Sequence, residues 1–361
     1  MRLEKKYIMA IASVVALSMS ATSFNKKNKP LTTDQKVEAV TVIDNRKHIA
    51  IKTAQASPVL EKNHGYMQAS ALLWNILTDA SDIALNSVVS APNVTNYSYQ
   101  DNNWGWNWGV KAALGFHCAD DWDFSLNFAY LQSTRHYYSS PSVDGTLNQT
   151  NLLSGIFQSY PYNTSTDASI STYQQKNHFV YYDGGLNFAR EFFVSKKLSL
   201  KPIAGAKGVY FVQTSNIDYN YTTLDTSPGS LYIKNNYWGA GPQLGSGVRF
   251  GFTRHFSLDC QFDGALLWGQ ALNKENLEYT DLLVSTTENY NANRYQLVPN
   301  INFLAGFTFD ANFAKNTKNI ALFLGYENRY FFNNMNASNV TARQVGSTSM
   351  QGFNAGLTFS Y

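Results

Sequence analysis

The sequence predicts an all-β fold, a transmembrane antiparallel up-and-down β-barrel of about 12 strands, with roughly 10–14 compatible with the pattern. Three observations predict it. The stretch WGWNWGVKAALGF at 104–116 alternates in a way that only a strand explains, because successive side chains point to opposite faces. Trp104, Trp106, Trp108, Val110, Ala112, Leu114 and Phe116 share one face, while Gly105, Asn107, Gly109, Lys111, Ala113, Gly115 and His117 share the other. Composition is the second observation. The 361 residues include 23 Tyr, 23 Phe and 7 Trp against only 15% charged residues, an excess suited to lipid-facing girdles. Mean hydropathy is nevertheless −0.29, and beyond the N-terminus no apolar run reaches helix-spanning length, which excludes helical spans. The third observation is the alternation of tight turns with long polar connections. Outer-membrane barrels have short periplasmic turns at one end and long extracellular loops at the other.

Taken in order, residues 1–23 read as a signal peptide. Arg2, Lys5 and Lys6 precede an apolar stretch from Tyr7 to Met19, and Ala21 and Ser23 stand at cleavage-type spacing. Removing this segment takes the formal charge from +3 to +1. Residues 24–63 carry eight Lys/Arg and four Asp/Glu, a net +4, and read as a polar basic periplasmic tail or an inward plug. Residues 64–361 then hold a net −3 and form the barrel. No global basic field points to nucleic acid.

Within the barrel, 65–77 and the weaker stretch 82–92 read as strands. The tryptophan strand follows, and a tight turn near 118–121 joins it to Trp122, Phe124, Leu126, Phe128 and Tyr130 as a hairpin. Residues 136–175, rich in Ser, Thr, Asn and Tyr, are too long for an ordinary connection and read as an extracellular loop. Three hairpins come next: 178–192 with 198–214 across VSKK, 237–252 with 256–270 across TRH, and 297–310 with 319–332 across ANFAKNTK. Polar stretches between them read as loops. In 238–252 the inner set is glycine-rich, which leaves close backbone approach or open volume on that side. The chain ends on Phe353, Ala355, Leu357, Phe359 and Tyr361 alternating with small residues, an ending that resembles the signal by which outer-membrane barrels are recognised for insertion. A further strand is sought in 37–53 or within 136–175 to make the count even.

Parity assigns the faces. Lys111, Asp123, Asn127, Asp183, Lys207, Gln243, Arg249, Asp259, Asp263, Glu327 and Arg329 fall on the polar parity and are expected to line a pore, since a charge is cheap in a watery lumen and costly in lipid. Trp104, Trp106, Trp108, Trp122, Trp238, Phe359 and Tyr361 are expected to face outer-membrane lipid and its interfaces. A soluble β-sandwich fits poorly, because its polar faces should be rich in Lys and Glu rather than Gly, Asn and Ser. An apolar-substrate transporter needs an apolar lumen pocket, and the Gly/Asn parity argues against one. Catalysis is not expected: His117, His178 and His255 are dispersed and no GxSxG occurs. GSGVRFG at 245–251 lacks phosphate-loop spacing. Cys118 and Cys260 are too few for a disulfide framework and have no His/Cys company at metal spacing, so neither metal nor cofactor is expected.

The stretches ADDWDFSLNFAYL, YYDGGLNFAREFF, LSLKPIAGAKG, YWGAGPQLGSGVRFG and IALFLGYENRYFFNN together resemble the Legionella-type and chlamydia-like major outer membrane protein family, from about residue 65 to the C-terminus. The resemblance implies an abundant outer-membrane porin of a Gram-negative cell. With two cysteines, the chain departs from cysteine-rich chlamydial members, and a disulfide-crosslinked lattice is not implied. The expected function is a narrow aqueous channel for small hydrophilic solutes and ions, with weak cation preference from Asp259 and Asp263. The alternative is a surface adhesin that displays loop 136–175 to a host-surface ligand. Self-association is compatible with either.

Overall fold

Ala71 near the start of the sheet stands opposite Ala355 near its end, and this pairing closes the wall on itself. The computed structural model describes residues 63–78, 84–91, 94–100, 104–118, 121–139, 148–151, 170–221, 229–281, 284–313, 318–338 and 343–361. The signal-peptide segment, the tail or plug up to residue 62, the stretch 37–53 and most of 136–175 lie outside the described residues.

The strands in chain order are β1 (His64–Thr78), β2 (Ala84–Ala91), β3 (Val94–Gln100), β4 (Trp106–His117), β5 (Trp122–Ser139), β6 (Asn148–Asn151), β7 (Ile170–Arg190), β8 (Phe192–Phe193), β9 (Leu198–Tyr221), β10 (Gly229–Gly251), β11 (Phe256–Asp281), β12 (Val284–Phe313), β13 (Lys318–Ser338) and β14 (Arg343–Ser360). Ten of them form the closed antiparallel ring β1-β4-β5-β7-β9-β10-β11-β12-β13-β14, with the two-residue β8 as an extra rung beside β9. The wall is thus at the lower end of the expected range and below the count of 12. The difference has a specific origin. Residues 82–92, read as a wall strand, instead give β2, which pairs with β3 and β6 in a separate three-stranded sheet.

All four expected hairpins form in the expected pairing, and the turns are tight. Val194 N–H donates to the Leu198 carbonyl at 2.9 Å, and Phe252 N–H to the Phe256 carbonyl at 2.9 Å. The opposite end differs from expectation. The polar stretches read as loops continue the ladder: β9 and β10 pair as far as Tyr219 and Gly229, and β11 and β12 as far as Asp281 and Val284. Outside the bilayer neither face need be apolar, so these extensions lack the alternation that marks a membrane strand.

The outer wall is apolar between two aromatic belts. Toward the turns, Phe256 and Phe307 stack at 5.2 Å between centroids; toward the loops, Trp268 and Tyr295 stack at 6.5 Å. Trp106, Trp108, Trp122, Trp238 and Tyr361 are exposed on this face, and Phe359 sits half-buried between Phe313 and Tyr361. Trp104 is the correction. It is fully buried inside the barrel, while Trp108, on the same sequence parity, is 71% exposed. Gly105 adopts φ +58°, which reverses the alternation between Trp104 and β4, and a Cβ there would sit 2.7 Å from the Arg135 guanidinium.

Candidate functional site: the barrel lumen

Inside the ring the lumen divides into two layers. Toward the turns, the inward residues are charged and polar, interspersed with apolar ones such as Ala113, Ala189 and Ile203, and enclose a cavity of about 420 Å³. Of the eleven residues expected to line a pore, Lys111, Asp123, Asn127, Asp183, Lys207, Gln243, Arg249, Asp259, Asp263 and Arg329 border this cavity. Glu327 is fully buried beside it, held by Lys111 and Arg329.

These side chains pair across the lumen rather than facing water singly. Arg329 on β13 bonds to Asp183 on β7, and its Nη1 donates to the Tyr181 hydroxyl at 2.8 Å. Its other contacts are Glu327 Oε1 at 2.8 Å and the face of Trp74, whose ring centroid lies 5.0 Å from Cζ. Lys207 Nζ donates to Asn300 Oδ1 at 2.7 Å and lies 3.4 Å from Asp183. Lys111 Nζ reaches Glu327 Oε1 at 3.3 Å, and Asn354 Nδ2 donates to Glu327 Oε2 at 2.8 Å. Each of these three cations therefore has a carboxylate partner, as a low-dielectric interior demands.

Nearer the turns, Asp123 accepts from Lys201 and, at 2.9 Å, from the Tyr66 hydroxyl. Arg249 is shared between Asp259, at 3.3 Å, and Asp310. Asp263 is different: only 1% exposed, it accepts from Gln243 Nε2 at 2.8 Å, Gln261 Nε2 at 3.0 Å and Asn302 Nδ2 at 3.1 Å, and the described residues offer it no ion pair. Asp259 and Asp263 thus share a strand face as expected but differ in character, one neutralised by arginine and one held by amides. Lys201, Asp310, Tyr66, Asn300 and Asn302 also belong to the site. Lys201 shares the inward parity of Lys207 on β9, whereas Tyr66 on β1 and Asn300, Asn302 and Asp310 on β12 stand on strands that hold none of the residues expected to line a pore; carrying the same two-residue period along those strands finds them.

Toward the loops, the interior is apolar. Leu72, Trp74, Ile76, Trp104, Leu131, Phe179, Tyr181, Phe211, Leu267, Val298, Phe331 and Met350 form one buried cluster. Phe211 meets Phe331 edge-on at 4.7 Å and Tyr181 at 5.1 Å. This corrects the expectation of a polar inner face throughout. The layer is a packed seal rather than a pocket. Its signal is loss of alternation: at 71–77, 179–182 and 209–212 both faces are apolar because one meets lipid and the other meets the seal. The charged layer lies directly beneath, with Arg329 against Trp74 and Lys207 5.9 Å from the Phe331 centroid. Among the described residues, no group of three or more His, Cys, Asp or Glu side chains is placed to hold a metal.

The barrel resembles solved outer-membrane structures at low identity. They include the outer membrane protease OmpT from Escherichia coli, with 13% identity, TM-score 0.40, and coverage of 82% of this chain and 96% of that one. A Pseudomonas aeruginosa FadL homologue gives 11% identity, TM-score 0.28, and coverage of 86% and 93%. The CymD monoaromatic hydrocarbon channel gives 9% identity, TM-score 0.30, and coverage of 86% and 92%. No curated protein matches. The model of the family described as Legionella pneumophila major outer membrane protein precursor matches residues 57–361, which spans the whole ring just described; this chain is a bacterial outer-membrane barrel and belongs to that family.

Proposed function

We propose that the barrel is an outer-membrane channel for small hydrophilic solutes and ions, closed at mid-lumen in the conformation described. The observation that supports this reading is the polar cavity of about 420 Å³ on the turn side of the seal. Eight strands are enough for a barrel filled by its own side chains. A ten-stranded ring that keeps a cavity bordered by charged side chains is wider than a mere platform needs. Passage requires Arg329 to leave Asp183 and the rings above to shift, so opening is a gating event. No catalysis is assigned. Planar-bilayer recording of the folded protein tests the proposal: intermittent step conductances support it, and silence at every voltage contradicts it.

A second reading, a surface barrel that displays its loop side, draws on the height of that side. From Trp268 the β11–β12 ladder continues to Asp281, roughly 40 Å of strand beyond the aromatic belt. Strands β5 and β7 take in 136–139 and 170–175 of the expected loop, so deleting only 140–169 separates the two readings. Lost host-cell attachment with unchanged solute uptake favours display.

A further inference from the structure

The outer surface just beyond the loop-side aromatic belt carries a charge pattern that pore and seal do not use. Lys234 on β10 stands directly opposite Lys274 on β11. Cross-strand partners have Cβ atoms about 5 Å apart, and like charges so placed repel. Among the described residues neither lysine has an ion-pair partner. Register extends this rung across six strands as Thr134, His178, Thr214, Lys234, Lys274 and Asn291. The next outward rung, two residues farther from the membrane, adds His136 and Lys176 on β5 and β7. Neither rung holds a carboxylate on these strands. The nearest acids on the same face, Asp218 and Glu278, flank Ser230 four residues beyond the lysine pair, about 13 Å along the strand and out of ion-pair reach.

Height indicates what this belt meets. Trp238 Nε1 donates to Gln270 Oε1 at 3.1 Å on the wall's outer face, which marks the interface level. The lysine pair lies four residues above that rung, about 10 Å along the membrane normal for a strand tilted about 40°. That is the headgroup layer of the outer leaflet. We propose that Lys234 and Lys274, assisted by Lys176, bind the phosphate groups of phosphorylated glycolipids there. A phosphate between two ammonium groups converts a repulsive pair into two charge-assisted contacts.

The test is native mass spectrometry of the full-length, folded protein titrated with bisphosphorylated lipid A and with the same lipid lacking phosphates. Wild type should retain the phosphorylated lipid preferentially. The double variant Lys234→Gln/Lys274→Gln should weaken that binding about thirtyfold, and Lys176→Gln alone about fivefold, at about one tenfold step per 1.4 kcal/mol. Heat-modifiable gel mobility reports folding of each variant. Equal binding of the dephosphorylated lipid by wild type, or wild-type affinity in the folded double variant, overturns the proposal. Neither outcome depends on channel activity.

Discussion

Arg329 on β13 bonds to Asp183 on β7, its antipode in the ring: five steps separate the two strands through β14, β1, β4 and β5, and five through β12, β11, β10 and β9. The pair therefore spans the full lumen. Replacing Arg329 by Ala leaves Asp183 and Glu327 as buried acids without their shared cation. The expected loss is about 3–5 kcal/mol of unfolding free energy, measured by urea denaturation in lipid vesicles. Adding Asp183→Asn should not recover that loss, because Asp183 still balances Lys207 and its removal leaves that buried lysine without a carboxylate.

The reversal at Gly105 separates two neighbouring tryptophans. Trp104→Ala opens a cavity in the seal and should cost about 3–5 kcal/mol. Trp106→Ala, on the lipid side, should cost much less. The same denaturation assay ranks them, and equal losses would place Trp104 on the wrong face.

Beyond the aromatic belt, at the headgroup level, burial pushes the Glu275 carboxyl up to about 7, against the hydrogen bond from Asn273 that pulls it down. The folded form therefore holds its proton to higher pH than the unfolded chain does. Stability of the β11–β12 extension should fall as pH rises from the ordinary carboxylate range to about 7 and then level off. Glu275→Gln should flatten that dependence. Hydrogen exchange of the 271–281 amides across this range measures it.

Selectivity should follow Asp263 more than Asp259. Arg249 already neutralises Asp259 locally, whereas Asp263 is held by amides alone. If the barrel conducts as proposed, Asp263→Asn should move the reversal potential in a KCl gradient toward anions by more than Asp259→Asn does. The difference should shrink near 1 M salt, where screening reaches about 3 Å.

The membrane part of the fold was legible because lipid imposes a two-residue period. Leu114, Leu126 and Leu186 line up on one outer rung, and inward Lys111 and Asp183 follow from the same period. The C-terminal strand was legible too, but its partner was not: Ala71 opposite Ala355 joins positions far apart in sequence with no shared motif. The seal was hidden because an apolar lumen face erases alternation at Leu72, Leu73 and Trp74. Ion pairing was hidden for another reason. Parity reports that Arg329 points inward, but only closure of the ring reports that Asp183 lies opposite.

The cavity is sealed toward the loops by the buried apolar layer, so access to it should come from the turn side. The most direct test is thiol labelling of Asn127→Cys, which borders the cavity, in a Cys118→Ser/Cys260→Ala background reconstituted in one orientation. A charged, membrane-impermeant reagent should modify this thiol rapidly from the turn side and slowly from the loop side. Arg329→Ala should raise the loop-side rate. Equal rates from both sides in the Arg329-containing protein would show that no seal exists and would contradict the account.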